Sequence, residues 1–398
     1  GCDSEDYCRE AGGGEHEPHE GIERRGIQTE HLKMTVDQLA RKIHSGQRLS
    51  KQEGLFLFRN AELLDLAELA NEIRFKKNPN PWISFVVDTN PNYTNVCNVD
   101  CIFCAFYRHE GEKGAYTYTV DHMIQSFKES AQKGVTTVLL QGGVNPALPF
   151  EYYVELVERT RKEVPEVYPH FFSTSEIIGM AQVSGLSLEG VLERLWKAGL
   201  RSIPGGGAEI LSDKVKKKIS SKKGTSADWL EVMRVAHKIG YKSTATMMYG
   251  HLESDDDILE HLESIRKLQD VTGGFTAFVP WSFKPGNTPL EKIIPNYATS
   301  TRYLQILAFS RIYLDNFPHI QASWFSEGKK TGQIALHFGA DDFGGTLLEE
   351  NVHAAANFVN KSNADECIQL IHESGFSAAQ RTTLYEIRRV YERVEAAA

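Results

Sequence analysis

Three cysteines, Cys97, Cys101 and Cys104, fall within eight residues in a C-x3-C-x2-C spacing. Thiolates are soft ligands that suit zinc or iron–sulfur centres. A structural zinc site closes its tetrahedron with four ligands. No second cysteine pair follows within thirty residues, so His109 and His122 are the imidazoles at hand for a Cys3His site. A 4Fe–4S cluster on three thiolates follows another logic. One iron keeps an open position, where a small molecule binds and is activated. Phe103, beside the last cysteine, offers a face on which a flat ring such as adenine packs.

Other chemistry-bearing residues recur downstream. In "QGGVNP", Gly142 and Gly143 permit close backbone approach to a ligand. "STSEI" supplies Ser173, Ser175 and Glu176, hydroxyls and a carboxylate able to hold ribose hydroxyls or an ammonium; Ser175 reads equally well as a helix N-cap. "PGGGAEIL" sets Glu209 beside three glycines. Tyr249 and His251, in "TATMMYGHLES", are candidates for proton transfer. "FVPWSFKPGNTPL" offers the flat faces of Trp281 and Phe283 and, in Lys284, a charge for an anion. "QASWFSEG" adds Ser323 and Trp324, and "HFGADDFGGT" adds Asp341 and Asp342 near a glycine pair.

Each of these clusters follows a short β-rich run. The expected strands are 84–90, 136–141, 169–174, 200–204, 242–249, 275–280, 319–324 and 333–339, with amphipathic helical patterns between them. Strands alternating with helices pair in parallel through right-handed crossovers. Eight of them close most economically as a (β/α)8 TIM-type barrel, whose active groups gather at the C-terminal strand ends. An open doubly wound sheet is the alternative if 200–204 is not a strand. The expected organisation is a disordered acidic tail over 1–33, a helical extension over 34–80, the barrel over 81–360 and C-terminal helices over 361–398. "TVDQ" and "SKQE" have capping-box form and open helices of the extension.

Bulk composition narrows the function. The formal net charge is −9, and the first twenty residues hold seven acids against one arginine. Phosphate neutralisation needs a basic surface, so no nucleic-acid partner is expected. No apolar run reaches the ~20 residues of a membrane span. Six cysteines in 398 residues are too few for a disulfide scaffold. A reducing, cytoplasmic setting with one metal site is expected.

The "C-x3-C-x-F-C" segment resembles the signature of the radical S-adenosylmethionine (SAM) superfamily. The resemblance implies a 4Fe–4S cluster on Cys97, Cys101 and Cys104, with SAM chelated at the open iron. It implies that the Gly142–Gly143 step meets SAM's methionine amino group. An electron from the cluster then splits the sulfonium and yields a 5′-deoxyadenosyl radical. "NYTNVC", "STSEI", "PGGGAEIL" and "MMYGHLES" resemble the branch holding the futalosine-pathway radical enzymes and the deazaflavin (F0) synthase subunits. "FVPWSFKPGNTPL", "QASWFSEG" and "GADDFGGTLLEENV" resemble its dehypoxanthine futalosine cyclases, which serve menaquinone biosynthesis; the aminofutalosine synthase relatives typically carry leucine where Trp281 stands. The cyclase likeness implies hydrogen abstraction from the sugar C4′ of a nucleoside-derived substrate and closure onto its carboxyphenyl ring, with flavodoxin or ferredoxin as a reducing partner. His251, Tyr249 and Glu209 are then the nominees for the final proton. Trp281, Phe283, Lys284, Ser323, Trp324 and Asp341 are the substrate nominees. Asn357 departs from the pattern, standing where glycine is expected. A non-catalytic, metal-stabilised binding barrel is the alternative of another class.

Overall fold

Side-chain caps start the first helices. Thr35 and Ser50 each accept the backbone N–H three residues on, while Gln38 and Glu53 reach back to the cap N–H, so both capping boxes form. They open the helices Val36–His44 and Lys51–Asn60, and a third runs over Leu63–Lys77. Leu66, Ala67 and Ala70 are buried on that third helix, which packs on the helix Ser300–Tyr313. The computed structural model describes residues 34–393. The tail expected to be disordered lies outside them.

The strands are β1 (Trp82–Val86), β2 (Asp88–Thr89), β3 (Thr137–Leu140), β4 (Tyr168–Phe171), β5 (Ser202–Ile203), β6 (Lys242–Tyr249), β7 (Phe275–Ser282), β8 (His319–Ile320), β9 (Asp342–Gly345), β10 (Ser377–Arg381) and β11 (Ile387–Tyr391). β2 to β8 form one parallel sheet in chain order. β1, one residue ahead of β2, pairs in parallel with β9. A Gln321–Asp342 bridge and the bond from Ala322 N–H to the Asp342 carbonyl (2.7 Å) link the β8 end to β9. The curled sheet with its outer helices is a (β/α)8-type α/β fold. Its 200–204 segment is a strand, though only Ser202 and Ile203 pair.

Two expectations fail. Residues 333–339 are not the eighth strand. Lys329–Ala335 is a helix running into a turn, and the strand is Asp342–Gly345. A short apolar run such as "QIALHFG" fits either period, whereas Asp342 is held in place by groups distant in sequence. Ser84 Oγ donates to it at 2.6 Å, and Arg381 forms a buried ion pair with it. Nor is 361–398 helical throughout. One helix, Ala364–Glu373, leads into the antiparallel hairpin β10–β11, and β10 pairs in parallel with β1. The hairpin tip enters the barrel, where Thr383 Oγ1 lies 2.7 Å from Thr137 Oγ1 on β3. Asn357, in place of the expected glycine, has φ 58°, a left-handed conformation that asparagine tolerates better than most residues.

Candidate active site

A cavity opens at the C-terminal ends of the strands and runs down the barrel axis. Cys97, Cys101 and Cys104 all line it, as do Phe103, Gly142, Gly143, Ser173, Ser175, Glu209 and Trp281. The four cysteines among the described residues are free thiols, three of them here. Burial pushes the Cys101 thiol up to about 12 and raises Cys104 as well. Such thiols stay protonated until a metal takes the proton's place. The histidines available for a zinc tetrahedron are engaged elsewhere. His109 lies between Asp100 (2.7 Å) and Glu112 (2.8 Å), and His122 stacks on Tyr118. Neither lines the cavity.

The loop facing the cysteines is built for close approach. A Cβ on Gly143 would lie 2.1 Å from the Val96 carbonyl oxygen, and one on Gly142 would lie 2.6 Å from the Tyr93 ring. Val144 N–H donates to Cys97 Sγ at 3.3 Å. Behind this loop stands Glu176. Its carboxylate accepts from Tyr93 Oη (2.7 Å), Gly142 N–H (3.0 Å) and Ser173 N–H (2.7 Å). Burial raises this carboxyl to about 7 against those hydrogen bonds. Glu176 therefore shapes the glycine loop from outside the cavity, where the sequence had suggested a ligand contact. The N-cap of the helix Thr174–Ser184 is Ser173 rather than Ser175, which leaves the Ser175 side chain to the cavity.

On the opposite wall, Lys223 forms a buried ion pair with Glu209 and lies 5.2 Å over the Phe103 ring. Burial works against the lysine charge, but Glu209 and the nearby thiols outweigh it and hold its pKa above the ordinary value. Glu209 Oε2 has no protein partner; nor do Asn90 Oδ1, Asn92 Oδ1 and Tyr385 Oη, and all four residues line the cavity. Buried polar atoms left unpaired cost stability, so their gathering here marks a place for a polar ligand. Asp100, Phe172, Glu209 and Leu347 have φ between 45° and 66°, strained values for such residues, in the loops around this cavity.

Several nominees do not reach the cavity. His251 is buried with both ring nitrogens engaged: Nδ1 accepts from Leu252 N–H (2.7 Å) and Nε2 donates to the Met248 carbonyl (3.0 Å). Burial lowers its pKa despite Glu253, so it stays neutral with no nitrogen free for a proton. Tyr249 is fully buried against Tyr303, and burial raises it far above a phenol's usual range. Lys284 turns to Ser282 Oγ (2.6 Å) and the Phe358 ring, and burial lowers it to about 8. Phe283 is core. Ser323 donates to the Pro280 carbonyl. Trp324 donates to the Gly345 carbonyl at 3.1 Å. Asp341 is buried between Arg311 and His319, which outweigh burial and hold it down to about 2. None of these buried side chains lines the cavity. A motif places a residue near a rim but does not say to which side it turns.

Other lining residues escaped the sequence reading. His170, Thr244, Thr246 and Gln321 line the barrel interior. The alternation in "KSTATMMY" carries Thr244 and Thr246 as a period-two signal. Asp88, Lys223, Glu350, His353, Arg381 and Tyr385 also line the cavity, but no local pattern announces them.

Residues 91–265 match the Radical SAM superfamily, and residues 272–394 match the family described as CofH/MqnC C-terminal region. A cyclic dehypoxanthine futalosine synthase of Halalkalibacterium halodurans is 40% identical, covering 92% of this chain and 98% of the relative. An aminodeoxyfutalosine synthase of Thermus thermophilus is 38% identical, with 90% and 97% covered. A 5-amino-6-(D-ribitylamino)uracil–L-tyrosine 4-hydroxyphenyl transferase of Methanopyrus kandleri is 40% identical, with 78% and 85% covered. Among solved structures, the fold matches the FeFe-hydrogenase maturase HydG from Carboxydothermus hydrogenoformans (TM-score 0.68, 16% identity, 88% and 80% covered). It also matches methylornithine synthase PylB (TM-score 0.66, 17% identity, 85% and 96% covered).

Proposed function

This chain belongs to the radical SAM superfamily and carries the CofH/MqnC C-terminal region, and from that premise we propose that it is a cyclase acting on dehypoxanthine futalosine. The observation that carries the choice within the family is Trp281. It lines the cavity with His353 packed 5.7 Å from its ring, making an aromatic wall on which a carboxyphenyl group stacks. The 40% identity to a cyclic dehypoxanthine futalosine synthase over nearly all of that relative supports the same reading.

In this reading Cys97, Cys101 and Cys104 hold the 4Fe–4S cluster. Three free thiols at one cavity end and a loop with no room for a Cβ at Gly143 fit that group. Gly142, Gly143, Ser173 and Ser175 receive the polar part of SAM, and Phe103 packs on its adenine. When bound, the cluster and SAM supply a 5′-deoxyadenosyl radical, the chemistry that belongs to the cofactor. The protein's own work is to hold the sugar C4′ near contact distance and to keep water out. Trp281 and Phe325 shield the aryl side, and the hairpin tip with Thr383 and Tyr385 closes the floor. A flavodoxin or ferredoxin in the cytoplasm supplies the electron.

The test is anaerobic. Reconstitute the protein with iron and sulfide, then supply SAM, a low-potential reductant and dehypoxanthine futalosine. The expected result is 5′-deoxyadenosine together with a product two mass units lighter than the substrate. Turnover of 5-amino-6-(D-ribitylamino)uracil with L-tyrosine, or formation of an aminodeoxyfutalosine, would move the chain to a sister activity. A colourless protein that never splits SAM would leave only the binding barrel.

A further inference from the structure

Closing a ring onto an aryl carbon removes a hydrogen from that carbon, so the cyclase reading, on which this inference rests, requires a proton acceptor in the cavity. Three carboxylates line it: Asp88, Glu209 and Glu350. Glu209 is ion-paired with Lys223. Asp88 accepts from Leu347 N–H at 2.8 Å and lies in the field of Arg381. Glu350 has no ion-pair partner among the described residues. Its carboxylate meets the backbone N–H groups of Val352 (3.0 Å) and His353 (2.9 Å).

The position of Glu350 is fixed by the fold. Asn90, just past β2, donates its N–H to the Glu349 carbonyl at 2.9 Å and bridges to Glu350 in parallel. The loop after β9 is thereby tied to the strand that leads into the cysteines. His353, whose N–H binds Glu350, packs between Trp281 (5.7 Å) and Phe325 (5.5 Å, stacked). An aryl ring stacked on that wall comes beside Glu350, whereas Asp88, which has no ion pair among the described residues either, has its carboxylate against Gly345 and Leu347.

We infer that Glu350 is the proton acceptor of ring closure. The bond between the sugar C4′ and the aryl carbon forms and the aryl C–H bond breaks. The proton passes to the Glu350 carboxylate. The remaining electron passes to the oxidised iron–sulfur cluster, which gave up one electron when the sulfonium was split. No further oxidant is consumed. Burial raises the Glu350 carboxyl to about 7, close to where a general base works best at neutral pH. The groups around it are His353 on its own short helix, Lys284 behind that histidine, Asn90 on the strand side, and Asp88 and Arg381 toward the floor.

The experiment compares the reconstituted wild-type protein with Glu350→Gln, which keeps an oxygen for the backbone N–H groups. The readout is cyclised product formed per 5′-deoxyadenosine released. The expected result is a ratio lower by about tenfold or more in Glu350→Gln. In the wild type the same ratio is expected to fall as the pH drops below about 7 and the carboxyl takes its proton. A second readout needs no turnover. The infrared difference between wild type and variant is expected to show a protonated-carboxyl band that vanishes only near pH 7. A variant ratio within twofold of the wild type, or a band already gone near pH 4.5, would overturn the inference. The cyclase reading fails separately, if the wild type yields no product two mass units lighter. Should Glu350→Gln not fold, the wild-type pH dependence decides: a ratio flat from pH 6 to 8 overturns the proposal.

Discussion

At the scale of single residues, the cluster loop depends on missing atoms as much as on thiols. A methyl group at Gly143 would sit 2.1 Å from a backbone oxygen of the cysteine loop, and neither chain can yield cheaply. Gly143→Ala is therefore expected to lose reconstituted iron and the brown absorbance while the barrel stays folded, as iron content and circular dichroism would report. Glu176 is the second determinant. It ties Tyr93, the helix cap and Gly142 together through one carboxylate. Glu176→Gln removes at least one of these bonds and is expected to weaken SAM binding by about 1–2 kcal/mol, measured as SAM affinity of the reconstituted protein. A barely altered affinity would show that the glycine loop holds its shape without it.

At the scale of elements, the hairpin β10–β11 decides whether the barrel has a floor. Its anchor is the Arg381–Asp342 ion pair, buried on both sides and supported by Ser84. Removing one partner of a buried pair leaves an uncompensated charge, at a cost of about 3–5 kcal/mol. Asp342→Asn is expected to lower the denaturant midpoint accordingly, while Arg381→Met combined with Asp342→Leu recovers much of the loss. A midpoint shift for Asp342→Asn near zero would show that the anchor is not structural. Because Thr383 and Tyr385 ride on the same hairpin and line the cavity, the single substitution is also expected to release more 5′-deoxyadenosine per cyclised product.

At the scale of the whole molecule, buried carboxyls and buried histidines shape the pH response together. Burial raises Asp88 to about 6 and both Glu176 and Glu350 to about 7, from ordinary values of 3.8, 4.5 and 4.5. A raised folded-state pKa means that the folded chain binds more protons than the unfolded one. Its stabilisation is complete below the unfolded value and is lost as the pH rises through the folded one. Asp341 and Asp257, held down to about 2, act in the opposite sense: their contribution is present above 3.8 and lost as the pH falls toward 2. Four histidines also oppose the raised carboxyls: burial lowers His170, His261 and His353 to about 3 and His237 to about 4, so their contribution is present above 6.5 and lost as the pH falls below it. The part due to the carboxyls is therefore isolated by comparing wild type with a single carboxyl variant at each pH. Glu176 alone would contribute at most about 3 kcal/mol, at 1.36 kcal/mol per unit. The denaturant midpoint of the wild type relative to Glu176→Gln is expected to fall as the pH rises from about 5 to about 7.5; a difference that stays constant over that range would exclude Glu176 as a contributor.

Local pattern was enough for the cysteine triplet, the two capping boxes and the alternation of strand and helix, because each depends on neighbours a few residues apart. The parallel barrel followed from that alternation. The eighth strand did not: "DFGG" has little strand propensity of its own and is held by Ser84 and Arg381, distant in sequence. The C-terminal hairpin was equally invisible, since β1 supplies its partner edge. Within the site, Cys97, Phe103, Gly142 and Trp281 could be read from motifs, whereas the direction of each side chain could not. His251 and Lys284 stand in the right loops and turn away from the cavity, because a backbone carbonyl and a serine hydroxyl offer them partners elsewhere. Glu350 and His353 enter the cavity because bonds to Asp88 and Asn90 fold their loop over the strand end. Motifs record residue types at short range; which of them share a cavity is decided by long-range packing and by where each polar group finds its hydrogen bond.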